Sequence, residues 1–329
     1  MTAADPGRGA SPAWDLALAG RVKTGTCSWT DRTMTAAGVY YPKEARTPED
    51  RLRFYAQDFP IVEVDATYYA LPSEANARAW VERTPGDFTF NVKAFSMLTG
   101  HPTKVAALPP QLREALPPEE AGKKNVYPDR LPPDMVDEVW DRFCLALRPL
   151  GNAGKLGCIL FQFPEWFPPG RASRDHILDC AEKLDRLLPG IPCAVEFRNE
   201  SWMRDDRSQE RTLAFLTQHR LPYVCVDMPQ GFRSSVPPAV AATAPLAMVR
   251  FHGRKSDTWD RKGILPSERF RWDYSEQELS EWGPGVSQLR EQAQEVHLMM
   301  NNCYRDYAVR SARKVAQLTL ETQGMPGTR

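Results

Sequence analysis

Cys193-Ala-Val-Glu-Phe-Arg-Asn-Glu-Ser-Trp202 begins as a short run of β-forming residues and ends in a polar, aromatic loop. Glu196 and Arg198 lie two residues apart. On an extended strand they share one face, while Val195 and Phe197 take the other. A carboxylate and a guanidinium on one face of an otherwise apolar strand are costly to bury unless something pairs or uses them. The same design recurs along the chain, and the recurrence points to both an architecture and a site.

Working outward, further strand-like runs occur at residues 22–27, 61–65, 88–93, 158–163, 223–227, 248–252 and 296–302, which with the opening stretch makes eight in all. Helical spacing fills most of the gaps. Thr47-Pro48-Glu49-Asp50 carries a hydroxyl cap, a first-turn proline and acids at the positive end. Ser73-Glu74 opens a second helix, and Ser275-Glu-Gln-Glu278 reads as a capping box. Residues 134–147, 173–188, 209–218 and 307–320 show apolar stripes at helical period. Residues 231–245 hold too much proline for a full helix. Eight strands alternating with helices imply parallel right-handed crossovers. The count predicts an α/β fold, a single (β/α)8 TIM barrel over residues 21–323. A proline-rich insertion, about 98–133, follows the third strand as an ordered lid or a mobile segment. Residues 1–20 and 324–329 read as loose tails. A doubly wound open sheet is the alternative, weakened because no glycine-rich loop follows the first strand.

Composition narrows the function. The 329 residues suit one barrel, and 42 Lys+Arg balance 42 Asp+Glu. No global field favours nucleic acid or an anionic membrane. Seven scattered cysteines without a C-x-x-C pair read as reduced thiols of a cytoplasmic protein. The first residues lack a basic start followed by an apolar run, and no stretch reaches membrane-spanning length.

The strand ends carry Glu63 and Asp65, Asn91 and Lys93, Gln162, Glu196 and Arg198, Cys225 and Asp227, Arg250 and His252, and Asn301 and Asn302. Residues two apart share a face. Nearly every strand therefore places polar groups at its C-terminal end, the mouth where barrels of this type do chemistry. Trp29, Tyr68, Tyr69, Trp166, Trp202 and Trp259 lie in the loops just beyond. The bland counterpart is a satisfied polar layer filling the barrel interior.

Gly25-Thr-Cys-Ser-Trp29, Val62-Glu-Val-Asp-Ala-Thr-Tyr-Tyr69 and Phe88-Thr-Phe-Asn-Val-Lys93 resemble motifs of the YecE-like family, also called domain of unknown function 72. Leu160-Phe-Gln-Phe-Pro164, Val195-Glu-Phe-Arg-Asn-Glu-Ser-Trp202, Val249-Arg-Phe-His-Gly-Arg254 and Met300-Asn-Asn302 follow in that family's order. The resemblance spans about residues 22–320 and implies a TIM barrel, with no established reaction. Two departures stand out. The Leu108–Arg130 stretch is longer than in the family, and Gly100 separates Thr99 from His101, so no role is carried over to His101.

Three functional readings follow. The favoured one is an acid–base enzyme, of hydrolase, lyase or isomerase type, acting on an anionic or polar small molecule with no cofactor implied. In it Glu63, Lys93, Glu196, Asp227 and His252 are the candidate catalytic groups. Trp29, Tyr68, Gln162, Arg198, Trp202, Arg250, Arg254, Asn301 and Asn302 are the candidate binding groups. Arginines suit bidentate capture of phosphate or carboxylate. His252 needs only a small shift to titrate near neutrality, and paired carboxylates also allow glycoside-type hydrolysis. Against this, Lys93 and Arg198 would simply neutralise Glu63 and Glu196. The second reading is a divalent-metal isomerase or phosphodiesterase site built from Glu196, Asp227, His252 and Asn302. The third is a non-catalytic protein binding nucleic acid or another ligand, in which Arg254-Lys255 and Arg261-Lys262 flank Trp259 as a stacking surface. Nucleic acid is disfavoured by Asp257, Asp260 and the zero net charge.

Overall fold

The computed structural model describes residues 9–322, so the tail expected at 324–329 and the first eight residues of the other lie outside the described residues. Within them run ten strands: β1 (Val22–Thr26), β2 (Ile61–Val64), β3 (Thr89–Lys93), β4 (Thr103–Lys104), β5 (Asn125–Val126), β6 (Leu156–Gln162), β7 (Cys193–Glu196), β8 (Val224–Asp227), β9 (Leu246–Phe251) and β10 (Glu295–Met300). β4 and β5 pair only with each other. The other eight are parallel in the order β7-β6-β3-β2-β1-β10-β9-β8. One isolated bridge, Val195 to Tyr223, joins β7 to β8, and Val195 N–H donates to the Pro222 carbonyl at 2.8 Å. The result is a nearly closed (β/α)8 barrel, as the strand count predicts.

Register decides which side chains face the axis. Arg250 pairs with Val226 on one side and Met299 on the other. Its guanidinium reaches Glu63 and Glu196 on β2 and β7, so this face is the interior. Glu63 sits beside Asn91, and Gln162 beside Glu196, on the same face. Asp227 pairs with Phe251 and therefore points outward. Two glycines allow the ring to close. A Cβ on Gly25 would lie 2.0 Å from the Ile61 carbonyl oxygen. One on Gly157, where the β3–β6 register shifts, would lie 2.6 Å from Asn91 Oδ1.

The helices start where their caps predict. Thr47 with Asp50, and Ser275 with Glu278, form complete capping boxes, and Ser73 caps the helix Glu74–Glu82. Pro133–Asn152, Arg171–Leu187, Asp206–Gln218 and Tyr307–Thr322 cover the other striped segments. No helix spans residues 231–245; the Thr243 hydroxyl pins that crossover, accepting from Tyr223 N–H and donating to the Leu221 carbonyl.

The loose tail expected over residues 1–20 needs correction where it is described. Pro12–Gly20 is a helix capped by Ser11, with Ala13, Trp14 and Leu16 buried and the Trp14 indole N–H donating to the Ala56 carbonyl at 3.0 Å. The insertion is ordered, with Leu108, Leu112, Leu116, Val126 and Leu131 buried in the same hydrophobic core as the barrel. All seven cysteines are free. Among the described residues no helix is long and apolar enough to cross a membrane.

Candidate functional site

Arg250 holds the centre of the mouth. It is 1% exposed, and its Nε and Nη2 donate to Glu63 at 3.0 and 2.6 Å, while Nη1 donates to Glu196 Oε2 at 2.5 Å. Nη2 also lies 3.7 Å from Cys27 Sγ, so each guanidinium nitrogen has a partner within the protein. The other carboxylate oxygen of Glu196 accepts from Gln162 Nε2 at 2.7 Å, Arg198 Nε at 2.8 Å and His252 Nε2 at 3.0 Å. Burial alone would raise its pKa, but Arg250, His252 and Arg198 together hold Glu196 well below the usual carboxylate range. Asn301 Nδ2 approaches His252 Nδ1 at 2.8 Å, which leaves the Nε2–H to Glu196. Burial and the Arg198 charge outweigh Glu196 and lower the His252 pKa to about 3. His252 is therefore a neutral strut with both nitrogens committed.

A second layer stands above this floor with capacity to spare. Lys93 Nζ donates to a neutral acceptor, Gln162 Oε1, at 2.9 Å and lies 4.6 Å from the Tyr68 ring centre. Burial and Arg250 bring its pKa down to about 8, against the pull of Glu196 and Glu63. The pairing of Lys93 with Glu63 weighed from sequence does not form, because Arg250 takes Glu63 instead. Arg198 does pair with Glu196, but only through Nε, and its terminal amino groups have no carboxylate partner among the described residues. Its guanidinium lies 5.1 Å from the Trp259 ring centre. Sequence reasoning noted Asp65 at a strand end without giving it a role. Its carboxylate takes no hydrogen bond among the described residues, and burial and Glu63 raise its pKa to about 7. His101 was also missed. Its ring packs edge-on against Tyr68 at 5.3 Å and Trp166 at 5.6 Å, and burial with the Lys93 and Arg198 charges lowers it to about 3. Tyr69 and Trp166, 58% and 52% exposed, flank this rim.

Five expected members lie elsewhere. Asp227 accepts from Arg254, Tyr274 Oη (2.6 Å) and Trp282 Nε1 (2.7 Å) beneath the outer helices, and Arg254 is spent there and on Glu281. Asn302 faces outward and donates to the Trp272 carbonyl and Ser311 Oγ. Trp202 is fully buried between Phe197 and Phe167. Trp29 is buried edge-on against Trp80. Arg250 and Asn301 reach the mouth but are used up within its floor.

The four groups of the metal reading therefore do not converge, because Asp227 and Asn302 point away from Glu196 and His252. Among the described residues no three His, Cys, Asp or Glu side chains are placed to hold a metal ion. The stacking surface of the nucleic-acid reading is missing too: Trp259 is buried, with its indole N–H donating to Ser234 Oγ at 2.9 Å.

Comparison with known proteins agrees with this architecture. The chain is 32% identical to the UPF0759 protein YunF of Bacillus subtilis (strain 168) over 282 residues, 84% of this chain and 87% of that protein. A crystal structure of a DUF72 family protein from Thermotoga maritima MSB8 superposes with a TM-score of 0.68 at 28% identity, covering 91% of this chain and 98% of the other. One from Enterococcus faecalis V583 superposes with a TM-score of 0.70 at 23% identity, covering 91% and 95%. Residues 23–328 match the family described as "Protein of unknown function DUF72", and the chain belongs to that family.

Proposed function

We propose that the barrel mouth binds a small anionic molecule, bearing a carboxylate or phosphate, and performs acid–base chemistry on it. One observation carries the reading: Lys93 and Arg198 stand at the mouth with hydrogen-bond donors uncommitted to any carboxylate, above a floor whose own charges are already paired. With Glu63 and Glu196 ionised, and Arg250, Arg198 and Lys93 charged, the cluster carries one net positive charge before Asp65 is counted. An anion resolves that imbalance, and charge-assisted bonds in a partly dry site are the strong ones.

Glycoside-type hydrolysis is the weaker form of the reading. It needs one carboxyl free to protonate a leaving group and a second free to attack or to activate water. Here Glu63 and Glu196 are both locked onto Arg250, so neither is free. The remaining acid–base capacity lies with Lys93 and Asp65, which suits proton transfer of lyase or isomerase type.

Calorimetric titration with inorganic phosphate tests this. The expected result is saturable binding that Lys93→Gln and Arg198→Gln each weaken by about tenfold, the loss of one charge-assisted hydrogen bond. Absence of saturable binding, or binding indifferent to both substitutions, contradicts the proposal.

A further inference from the structure

We propose that Asp65 is the proton-carrying residue of this mouth: it takes up a proton as an anion settles beside Lys93 and Arg198, and delivers it to the bound molecule. The inference rests on the anion-binding reading above. Its geometric basis is the β2–β3 register, in which Glu63 is opposite Asn91 and Val64 opposite Val92. β2 ends there, and Asp65 leads into the turn Ala66–Tyr68, which the Thr67 hydroxyl ties to β3 by donating to the Lys93 carbonyl at 2.6 Å, so Asp65 and Lys93 close neighbouring strands at the same end. Opposite charges so placed ordinarily pair. These do not, because Lys93 turns to Gln162 and the half-buried Asp65 carboxylate takes no hydrogen bond among the described residues. Asp65 occupies the cap position of the short turn Ala66–Tyr68 without capping it. The carboxylate is thus held open beside a cation, which is the place a ligand atom would fill.

The charges facing Asp65 fix the direction of its response. Glu63 lies below it on β2, Lys93 beside it on β3 and Arg250 across on β9; Asp31 approaches from the loop after β1, with Tyr69 and Cys303 nearby. Burial and the Glu63 charge favour the protonated form and bring Asp65 to about 7, one unit from Lys93 at about 8. A bound anion adds negative charge, so it favours the protonated form further. In the transfer step the Asp65 O–H bond breaks as a new O–H or C–H bond forms on the ligand, and the electron pair stays on the carboxylate. The same carboxylate recovers a proton from a neighbouring carbon, so the isomerisation balances without a co-reactant. The class of substrate this fits has an ionisable C–H next to its anionic group.

Calorimetry with sulfate between pH 5.5 and 8.5 tests the assignment, since sulfate keeps its charge across that range. Wild-type affinity should fall on crossing pH 7 by up to about tenfold per pH unit for one linked proton, and fall again above pH 8 as Lys93 discharges. Asp65→Asn should abolish the lower step and keep the upper one. A lower step that persists in Asp65→Asn overturns the Asp65 assignment while leaving anion binding intact. Sulfate that fails to bind, or that ignores Lys93→Gln and Arg198→Gln, overturns the anion reading and this inference with it. Carboxyl carbon-13 spectra of the intact wild-type protein give a check independent of variant folding. A resonance missing from Asp65→Asn should titrate near pH 7 and shift upward with sulfate, whereas titration below pH 5 would refute the proposal.

Discussion

Arg250 and Arg198 carry the same guanidinium and meet the same Glu196, yet their surroundings give them opposite uses. Arg250 is enclosed between two carboxylates, whereas Arg198 keeps 15% of its side chain in contact with solvent. Removing Arg250 would strand the buried Glu63 carboxylate and take the partner of Glu196 Oε2, a loss of about 3–5 kcal/mol for a broken buried pair. Arg250→Met should therefore lower the unfolding free energy by that order in denaturant titrations. Arg198→Gln leaves Glu196 with Arg250, Gln162 and His252, so it should cost binding and little stability. At this scale the sequence was legible in its spacings and illegible in its phase. Period-2 alternation grouped Glu196 with Arg198 and Arg250 with His252, and all four meet at the Glu196 carboxylate. Whether a group faces the axis depends on pairing with neighbouring strands, which a strand's own pattern does not contain. Cys225 and Asp227 share a face as expected, but Val226 is the residue abreast of Arg250, so theirs is the outer face. Asn301 and Asn302 are adjacent, so only one could join the mouth, and the hydrogen bond to His252 identifies Asn301.

The barrel strands were readable as elements because a parallel sheet buried on both faces demands continuous apolar runs, and a polar residue inside such a run stands out. Helix starts were readable from cap chemistry that acts within four residues, as at Thr47 and Ser275. The helix Pro12–Gly20 escaped for a converse reason: its stripe is short, and its anchor is a tertiary contact of Trp14 with the Pro48–Asp58 helix. The local signal present was Ser11-Pro12, a hydroxyl followed by a first-turn proline. Trp14→Ala should destabilise the protein by about 3–5 kcal/mol, as loss of a core aromatic does, measured as a shifted denaturant midpoint with unchanged slope. A midpoint shift below about 1 kcal/mol would mean the helix is dispensable. Gly157→Ala should also destabilise, since the added methyl meets Asn91, Thr89 and His297 inside the ring.

Across the whole molecule, polar groups are buried at both levels of the barrel interior, and this sets its response to acid. His252 and His101 are held near 3, and His176 and His297 are lowered as well, each chiefly by burial. A histidine depressed in the fold binds its proton more readily when unfolded. Its contribution is complete above the unfolded value of about 6.5 and is lost as pH falls toward 3, by at most about 1.4 kcal/mol per pH unit for each group. Thermal midpoints should therefore decline from pH 7 to pH 4, with a shallower slope in His252→Gln, which keeps a donor for Glu196. An unchanged slope would show that the fold does not lower the pKa of His252, and would contradict its role as a neutral strut. The single bridge between β7 and β8 makes that seam the expected site of first opening, so amide exchange at Val195, whose N–H crosses it to the Pro222 carbonyl, should outpace exchange at the β9–β10 pair. The central claim, that a paired floor leaves Lys93 Nζ and the terminal amino groups of Arg198 free of carboxylates to receive an anion at the mouth, is tested most directly by anomalous diffraction from crystals grown with selenate. The account expects the selenium peak within hydrogen-bond reach of both Lys93 Nζ and the Arg198 guanidinium; a mouth without selenium, in crystals that bind it elsewhere, would contradict it.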